Sequence, residues 1–130
     1  MAELDYAVLA DFARVDGDGT LTVVGGHRTV VVVPALPAQQ VLAVAGRLWM
    51  GRREPPAQMS LGATTPEGDV PVVASWVLEP GPEQVEGSGR HSASFAVTVV
   101  APVSATGLHS LVLSVNGEVA RQLPFTVGEG

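Results

Sequence analysis

The sequence predicts an all-β fold, a two-sheet antiparallel sandwich of eight or nine strands that is immunoglobulin-like or a related Greek key. Valine-rich segments are cut by clusters of glycine, proline and aspartate about every ten residues, the spacing of antiparallel β domains. Ten prolines and fifteen glycines would interrupt a long helix wherever it began. Two sheets packed face to face would bury apolar surface that a single flat sheet would leave in water. A small closed barrel is the alternative architecture.

The length of 130 residues predicts one domain over residues 1–130. A chain of this size buries roughly two-thirds of its unfolded surface, which is enough for one hydrophobic core. The absence of cysteine excludes disulfides and zinc–thiolate sites. Aromatic side chains inside predicted strands are expected to pack in the core. They are Tyr6, Phe12, Trp49, Trp76, Phe95 and Phe125.

The strands are predicted from the alternation between the breaks. Residues 92–99 place apolar side chains at odd positions and hydroxyl side chains at most even ones, so one face packs and the other is solvated. Residues 30–33 are four valines without alternation, which favours a central strand covered on both faces, with pairing to another subunit as the alternative. The predicted strands span residues 4–14, 20–24, 28–33, 41–50, 58–64, 70–78, 92–101, 108–115 and 118–127.

A hairpin is predicted at Asn116-Gly117, because both residues tolerate positive φ. A two-residue loop would place Leu111 opposite Gln122 and mix the two faces. A three-residue loop would pair Leu111 with Arg121 and gather polar residues on one side, so this register is the predicted one.

Three segments together resemble a family of small bacterial β-sandwich proteins that carries no assigned function. They are residues 4–13, Val24-Gly25-Gly26, and the closing hairpin with residues 123–127. These are strand and turn motifs that extend over nearly the whole chain. The resemblance therefore implies a β-sandwich and brings no active site.

Asp16 and Asp18 alternate with glycine and suggest a weak surface calcium site. The EF-hand pattern fails, because the twelfth position counted from Asp16 is His27 instead of a bidentate glutamate. A turn between the first two strands explains the same residues, since aspartate and glycine supply side-chain caps and left-handed backbone. The turn is the favoured interpretation.

Arg52 and Arg53 form a local basic spot, with Arg47 on the preceding predicted strand. These guanidinium groups would bind a carboxylate or an acidic partner surface, and a solvated turn is the alternative. They are the first-ranked exposed residues for partner contact.

Residues 79–90 form the longest stretch without strand character and include Glu83, Glu86 and Arg90. Loops of this length are uncommon in compact domains unless they are functional or disordered. The segment is therefore a second candidate for partner contact, with a flexible insertion as the alternative.

Composition excludes several classes of function. Seven arginines, no lysine and thirteen acids give a formal charge of -6, which argues against nucleic acid as a partner. No apolar run approaches the roughly 20 residues that cross a bilayer.

The first six residues contain two acids where a secretory signal begins with a basic region, so a cytoplasmic location is predicted. Arginine without lysine and valine without isoleucine suggest a GC-rich bacterial gene.

The predicted function is contact with proteins. No nucleophile elbow and no glycine-rich phosphate loop is present, so the sequence predicts neither an enzyme nor a cofactor. The first hypothesis is a cytoplasmic protein-interaction or structural accessory domain, acting as a homo-oligomer or as a subunit of a larger bacterial assembly. The alternative is a module that binds a small ligand or calcium.

Overall fold

The computed structural model describes residues 2–51, 53–81 and 89–130, which form ten strands and no helix. The all-β prediction is confirmed. In this part of the chain there is accordingly no helix long and apolar enough to cross a membrane. The strands are β1 (Glu3–Ala10), β2 (Phe12–Val15), β3 (Leu21–Val24), β4 (Val30–Val33), β5 (Ala38–Gly51), β6 (Ala57–Thr65), β7 (Gly68–Leu78), β8 (Arg90–Val103), β9 (Gly107–Val115) and β10 (Glu118–Glu129).

The strands form two larger sheets and a hairpin. A three-stranded sheet has the order β1-β5-β8, a five-stranded sheet has the order β4-β10-β9-β6-β7, and β2 pairs with β3. β5 and β8 pair in continuous register along all fourteen residues of each strand. β4 runs parallel to β10, so the purely antiparallel arrangement predicted from sequence is wrong at this strand.

One cluster of buried side chains contains residues from both sheets. Alternate residues of β5 and β8 enter it from the three-stranded sheet, as the two-residue period of a strand requires. The largest completely buried side chains include Leu42 and Leu48 from β5, and Leu61, Leu111 and Leu113 from the five-stranded sheet. Burying each leucine stabilises the fold by about 1.5–3 kcal/mol, so this cluster joins the two sheets.

β4 lies at the edge of the five-stranded sheet. Val31 and Val33 are buried, whereas Val30 and Val32 are 54% and 63% exposed. The prediction of a central strand covered on both faces is therefore wrong. A run of four valines looks the same in sequence whether one face or both faces are covered.

The β9–β10 hairpin turns in two residues, Asn116 and Gly117, with φ of 52° and 84°. The predicted three-residue loop is wrong. A register shift between Val119 and Arg121 adds one residue to β10, so that Leu111 pairs with Leu123. This bulge resolves the mixing of faces that a two-residue loop would otherwise cause.

The first predicted strand is broken at Asp11. Its backbone N–H donates to the carbonyl of Val24 at 3.0 Å, and its carboxylate pairs with Arg28 at 3.0 Å. These bonds redirect the chain from β1 into β2. The β2–β3 hairpin then contacts β5 and β8.

Candidate functional site

The β2–β3 hairpin covers part of the outer face of the three-stranded sheet. A second, smaller cluster lies beneath it and consists of the alanines Ala10, Ala13, Ala43 and Ala45. Val8, Leu21 and Ala96 pack against this cluster. Side chains this small let the hairpin backbone approach the sheet closely. Beyond this cluster, β5 carries Arg47 and Trp49 towards one end of the face and the exposed Val41 towards the other.

Arg47 and Asp5 form an ion pair on the uncovered part of this face. The Nε and Nη2 atoms of Arg47 donate to Oδ2 of Asp5 at 2.8 and 2.5 Å. The β1–β5 register shifts between Leu4 and Tyr6, which places Asp5 in a bulge. Gly46 permits this geometry, because a Cβ there would collide with the carbonyl oxygen of Tyr6 and with the ring of Phe95. The charge of Arg47 is thus already neutralised within the chain.

Trp49 lies beside two arginines on the same face. The guanidinium carbon of Arg47 is 4.5 Å from the centroid of the Trp49 ring, and that of Arg90 is 4.3 Å away. Arg47 also lies over the ring of Tyr6 at 5.8 Å. Cation–π contacts at these distances contribute roughly 0.5–1 kcal/mol each at exposed sites. We call Tyr6, Arg47, Trp49 and Arg90 the arginine–tryptophan face.

A cleft of about 500 Å³ adjoins this face. We call it the hairpin cleft. One wall is the β2–β3 turn, the other is the segment after β7, and the floor comes from β1, β5 and β8. The residues that line it are Tyr6, Val15, Asp18, Gly19, Thr20, Leu21, Arg47, Leu78, Glu79, Gly81, Ser92, Ala93 and Ser94. Its volume falls within the range of small-molecule sites and is sufficient for a side chain of a partner.

The turn that walls the cleft is fixed by its own carboxylates. Asp16 accepts hydrogen bonds from Arg14 Nε at 2.8 Å and from Thr22 Oγ1 at 2.6 Å. Oδ1 of Asp18 accepts from the hydroxyl of Thr20 at 2.6 Å and from its backbone N–H at 3.1 Å. The hydroxyl bond and then the backbone bond lower the pKa of Asp18 from its ordinary value.

The calcium site at Asp16 and Asp18 stays a prediction. Their carboxylates accept hydrogen bonds from neighbouring residues of the turn. Within residues 2–51, 53–81 and 89–130, no group of three or more histidine, aspartate or glutamate side chains is placed to hold a metal ion.

The structure brings two of the predicted contact residues together. Arg47 and Arg90 meet over Trp49, although they belong to different predicted segments. Arg53 is exposed in the turn after β5. Three further predicted contact residues, Arg52, Glu83 and Glu86, lie outside the described residues.

The core prediction for the aromatic residues is wrong for three of them. Tyr6 and Phe12 are 38% and 47% exposed, and Trp49 is partly buried on the outer face. A signal for Trp49 was present, because Arg47 and Trp49 are two residues apart on one strand and therefore share a face. Phe95 and Phe125 are buried as predicted, and Trp76 packs against the core.

Residues 5–128 match the sequence profile of one protein family. The chain belongs to DUF6941, a family of unknown function. The resemblance to a family without an assigned function, which the strand and turn motifs carry, is thereby confirmed. No curated protein matches the DUF6941 chain.

Among solved structures, the chain is similar to the Pseudomonas fluorescens alkylpurine DNA glycosylase AlkC bound to DNA containing an abasic site analog. The TM-score is 0.45 at 10% sequence identity. The match covers 98% of this chain and 30% of that chain. At that TM-score the similarity carries no argument about fold or function.

Proposed function

We propose that this chain is a non-enzymatic protein-interaction domain of a bacterial cytoplasmic assembly, and that its partner docks on the arginine–tryptophan face. The observation that carries the proposal is the position of the Trp49 ring, which lies close to the guanidinium groups of Arg47, on the same strand, and of Arg90, on β8. Arginine, tryptophan and tyrosine are the residue types enriched at the centres of protein interfaces.

The contacts between the side chains of this face support the proposal. Arg47 is held by Asp5, and the ring of Trp49 lies close to both guanidinium groups. Side chains that are ordered before binding lose less conformational entropy when a partner arrives. The hairpin cleft beside them gives the surface a concave region into which a partner side chain fits.

An immunoglobulin-like arrangement of the two sheets is part of this proposal. The core cluster shared by the three-stranded and five-stranded sheets supports it. In such an arrangement the partner would meet the outer face of one sheet while the inner faces remain packed together.

Capture from a lysate of the organism that encodes the chain, followed by affinity measurement with the purified partner, tests the proposal. We expect Trp49→Ser to weaken binding at least about tenfold, or about 1.4 kcal/mol. Leu108→Ser is the matched control, because Leu108 is exposed on β9 of the other sheet. Equal affinity of Trp49→Ser and the unsubstituted chain would exclude this face as the docking surface.

Self-association is the second form of the proposal. The observation that favours it is β4, an edge strand of four uncharged residues with Val30 and Val32 exposed. Light scattering after size-exclusion chromatography should then give a dimer that Val32→Lys converts to a monomer. A monomer at high concentration for the unsubstituted chain would remove this form.

A further inference from the structure

A second, smaller cleft lies between the edge of β1 and β10, away from the hairpin cleft. Its volume is about 220 Å³, and its walls are residues 7–9, 27–29 and 121–124. We call it the edge cleft. The backbone N–H of Arg28 donates to the carbonyl of Leu9 at 2.8 Å, and the carbonyl of Thr29 accepts from the N–H of Thr126 at 2.8 Å. These two bonds tie residues 27–29 to both strands and fix the shape of the cleft.

The ionisable side chains that line the edge cleft are all basic, namely His27, Arg28 and Arg121. By contrast, the hairpin cleft and three other surface clefts each include at least one acidic side chain. Arg28 is paired through its Nε atom with Asp11 at 3.0 Å, whereas Arg121 forms no ion pair with a described acidic side chain. In a chain with a net charge of -6, this cleft therefore carries uncompensated positive charge.

His27 adopts an unfavourable backbone conformation at the rim of this cleft. Its φ is 60°, in the left-handed region that side chains other than asparagine and aspartate rarely occupy. Asn116 is the other described non-glycine residue with positive φ, and the β9–β10 turn requires it there. No such turn explains His27, and no hydrogen bond joins its imidazole to a described residue. Residues held in this region cluster at ligand-binding sites, which indicates a function for the side chain.

The floor of the edge cleft is apolar, and the edge of β1 supplies backbone donors. Ala7, Leu9 and Leu123 line the cleft and belong to the buried core cluster. β1 is the last strand of its sheet, so no described strand pairs with its open side. Because the carbonyl of Leu9 points away from β5 towards Arg28, the N–H groups of Leu9 and Ala7 point to the same side. Cationic side chains, N–H donors and apolar surface thus meet in one cleft.

We propose that the edge cleft binds a small-molecule carboxylate that carries a short alkyl group. Arg121 and His27 donate to the carboxylate, and Arg28 adds the donors that Asp11 leaves free. The alkyl group covers the apolar floor. A water-sized group takes up about 30 Å³, so the cleft has room for about seven non-hydrogen atoms. Trp49 does not line this cleft, so the inference is independent of the proposed function.

The first arm of the test is an amide NMR titration with 3-methylbutanoate, a carboxylate that matches this size. A ligand of this size that fits its site binds with a Kd of about 1 mM. Addition to about 20 mM, at constant ionic strength, should shift the amide resonances of Leu9, Thr29 and Gln122 until they saturate. No saturable shift would overturn the inference.

Two further probes define the ligand class. The uncharged 3-methylbutanamide has nearly the same shape and should bind at least about tenfold more weakly, because it lacks the charge that Arg121 recognises. Inorganic phosphate should also bind more weakly, because it has no alkyl group to cover the apolar floor. Equal affinity for the amide would exclude a carboxylate site. Equal affinity for phosphate would show that the cleft attracts anions in general, and would also overturn the inference.

The second arm uses variants. Arg121→Gln should weaken binding of 3-methylbutanoate about tenfold, whereas Arg53→Gln, at an exposed arginine in the turn after β5, should not change it. His27→Gly keeps the left-handed backbone without its steric cost and should weaken binding about fivefold without lowering the melting temperature. If both cleft variants bind as tightly as Arg53→Gln, the inference fails. Trp49→Ser should bind the acid normally, so this failure would leave the proposed function standing.

Discussion

The outer faces of the two sheets expose different chemistry. On the three-stranded sheet, Trp49 and Tyr6 lie beside arginines, and a hairpin covers the alanines on the rest of the face. On the five-stranded sheet, exposed side chains include the aliphatic Val32 and Leu108 and the charged Arg121, and no described arginine there lies over an aromatic ring. The aromatic and guanidinium contacts of the first face depend on a strand bulge at Asp5 and on the close approach of the chain at Gly46.

The largest effect is expected at Gly46, which lies on β5 beside the arginine–tryptophan face. Gly46→Val should reduce the free energy of unfolding by about 3 kcal/mol, because the added atoms collide with the backbone of Tyr6 and the ring of Phe95. Urea unfolding measures the change. Gly128→Ala is the control, since a Cβ at Gly128 meets nothing nearby. Equal stability of the two variants would contradict the close approach of β1 to β5.

The part of the outer face beneath the β2–β3 hairpin should lose stability locally when its packing is disturbed. Ala45 is completely buried in the small cluster to which the β2–β3 hairpin contributes, so Ala45→Leu should destabilise the protein by about 2 kcal/mol through overpacking. Hydrogen exchange should accelerate in residues 12–24 more than in the five-stranded sheet. Ala120→Leu, at an exposed position, should leave exchange in residues 12–24 unchanged. Uniform acceleration across the chain would show that the hairpin is not a separate layer.

The positions of these two substitutions also show which parts of the fold can be predicted from the sequence. The strand centres were predictable, because alternation and turn residues mark them in the chain. The bulge at Asp5 and the requirement for glycine at position 46 could not be predicted, because both depend on the distance between β1 and β5. The position of β4 was hidden for a related reason, because four consecutive valines carry no information about which face is covered.

The candidate site was predictable only in part. The sequence predicts Arg47 in a basic spot and Arg90 in a long loop, but their meeting over Trp49 depends on the β5–β8 register, which pairs Trp49 with Ser92. Phe12 and Tyr6 were placed in the core because aromatic residues are usually buried. The ion pair of Arg47 with Asp5 joins residues 42 positions apart, a separation at which the sequence gives no sign of contact.

A smaller effect is expected for the ion pair of Arg47 with Asp5 at the arginine–tryptophan face. In a double-mutant cycle with Asp5→Asn and Arg47→Gln, the coupling energy should be about 1 kcal/mol, because both side chains are about 30% exposed. The pair of Arg14 and Asp16 is the control and should couple less, since Arg14 is 64% exposed. A coupling at Arg47 no larger than that at Arg14 would show that Asp5 does not hold the guanidinium.

The smallest expected effect is the pH dependence of the stability that the Asp18 carboxylate contributes to the β2–β3 turn. Because the pKa of Asp18 is lower in the folded chain than in the unfolded one, its stabilising contribution is present above the unfolded pKa and is lost as pH falls through the folded pKa. An NMR titration of the Asp18 carboxyl carbon should show Thr20→Val raising that pKa toward its ordinary value. Thr22→Val, which removes a hydrogen bond to Asp16, should leave it unchanged. An unchanged Asp18 pKa in Thr20→Val would show that the hydroxyl does not stabilise the carboxylate.

Hydrogen exchange of the chain with and without its captured partner tests the central claim most directly. If the partner docks on the arginine–tryptophan face, protection should increase in residues 47–49, 90–94 and 18–21 and stay constant in β4, β9 and β10. Protection confined to β4, β9 and β10, with no change around Trp49, would contradict the account.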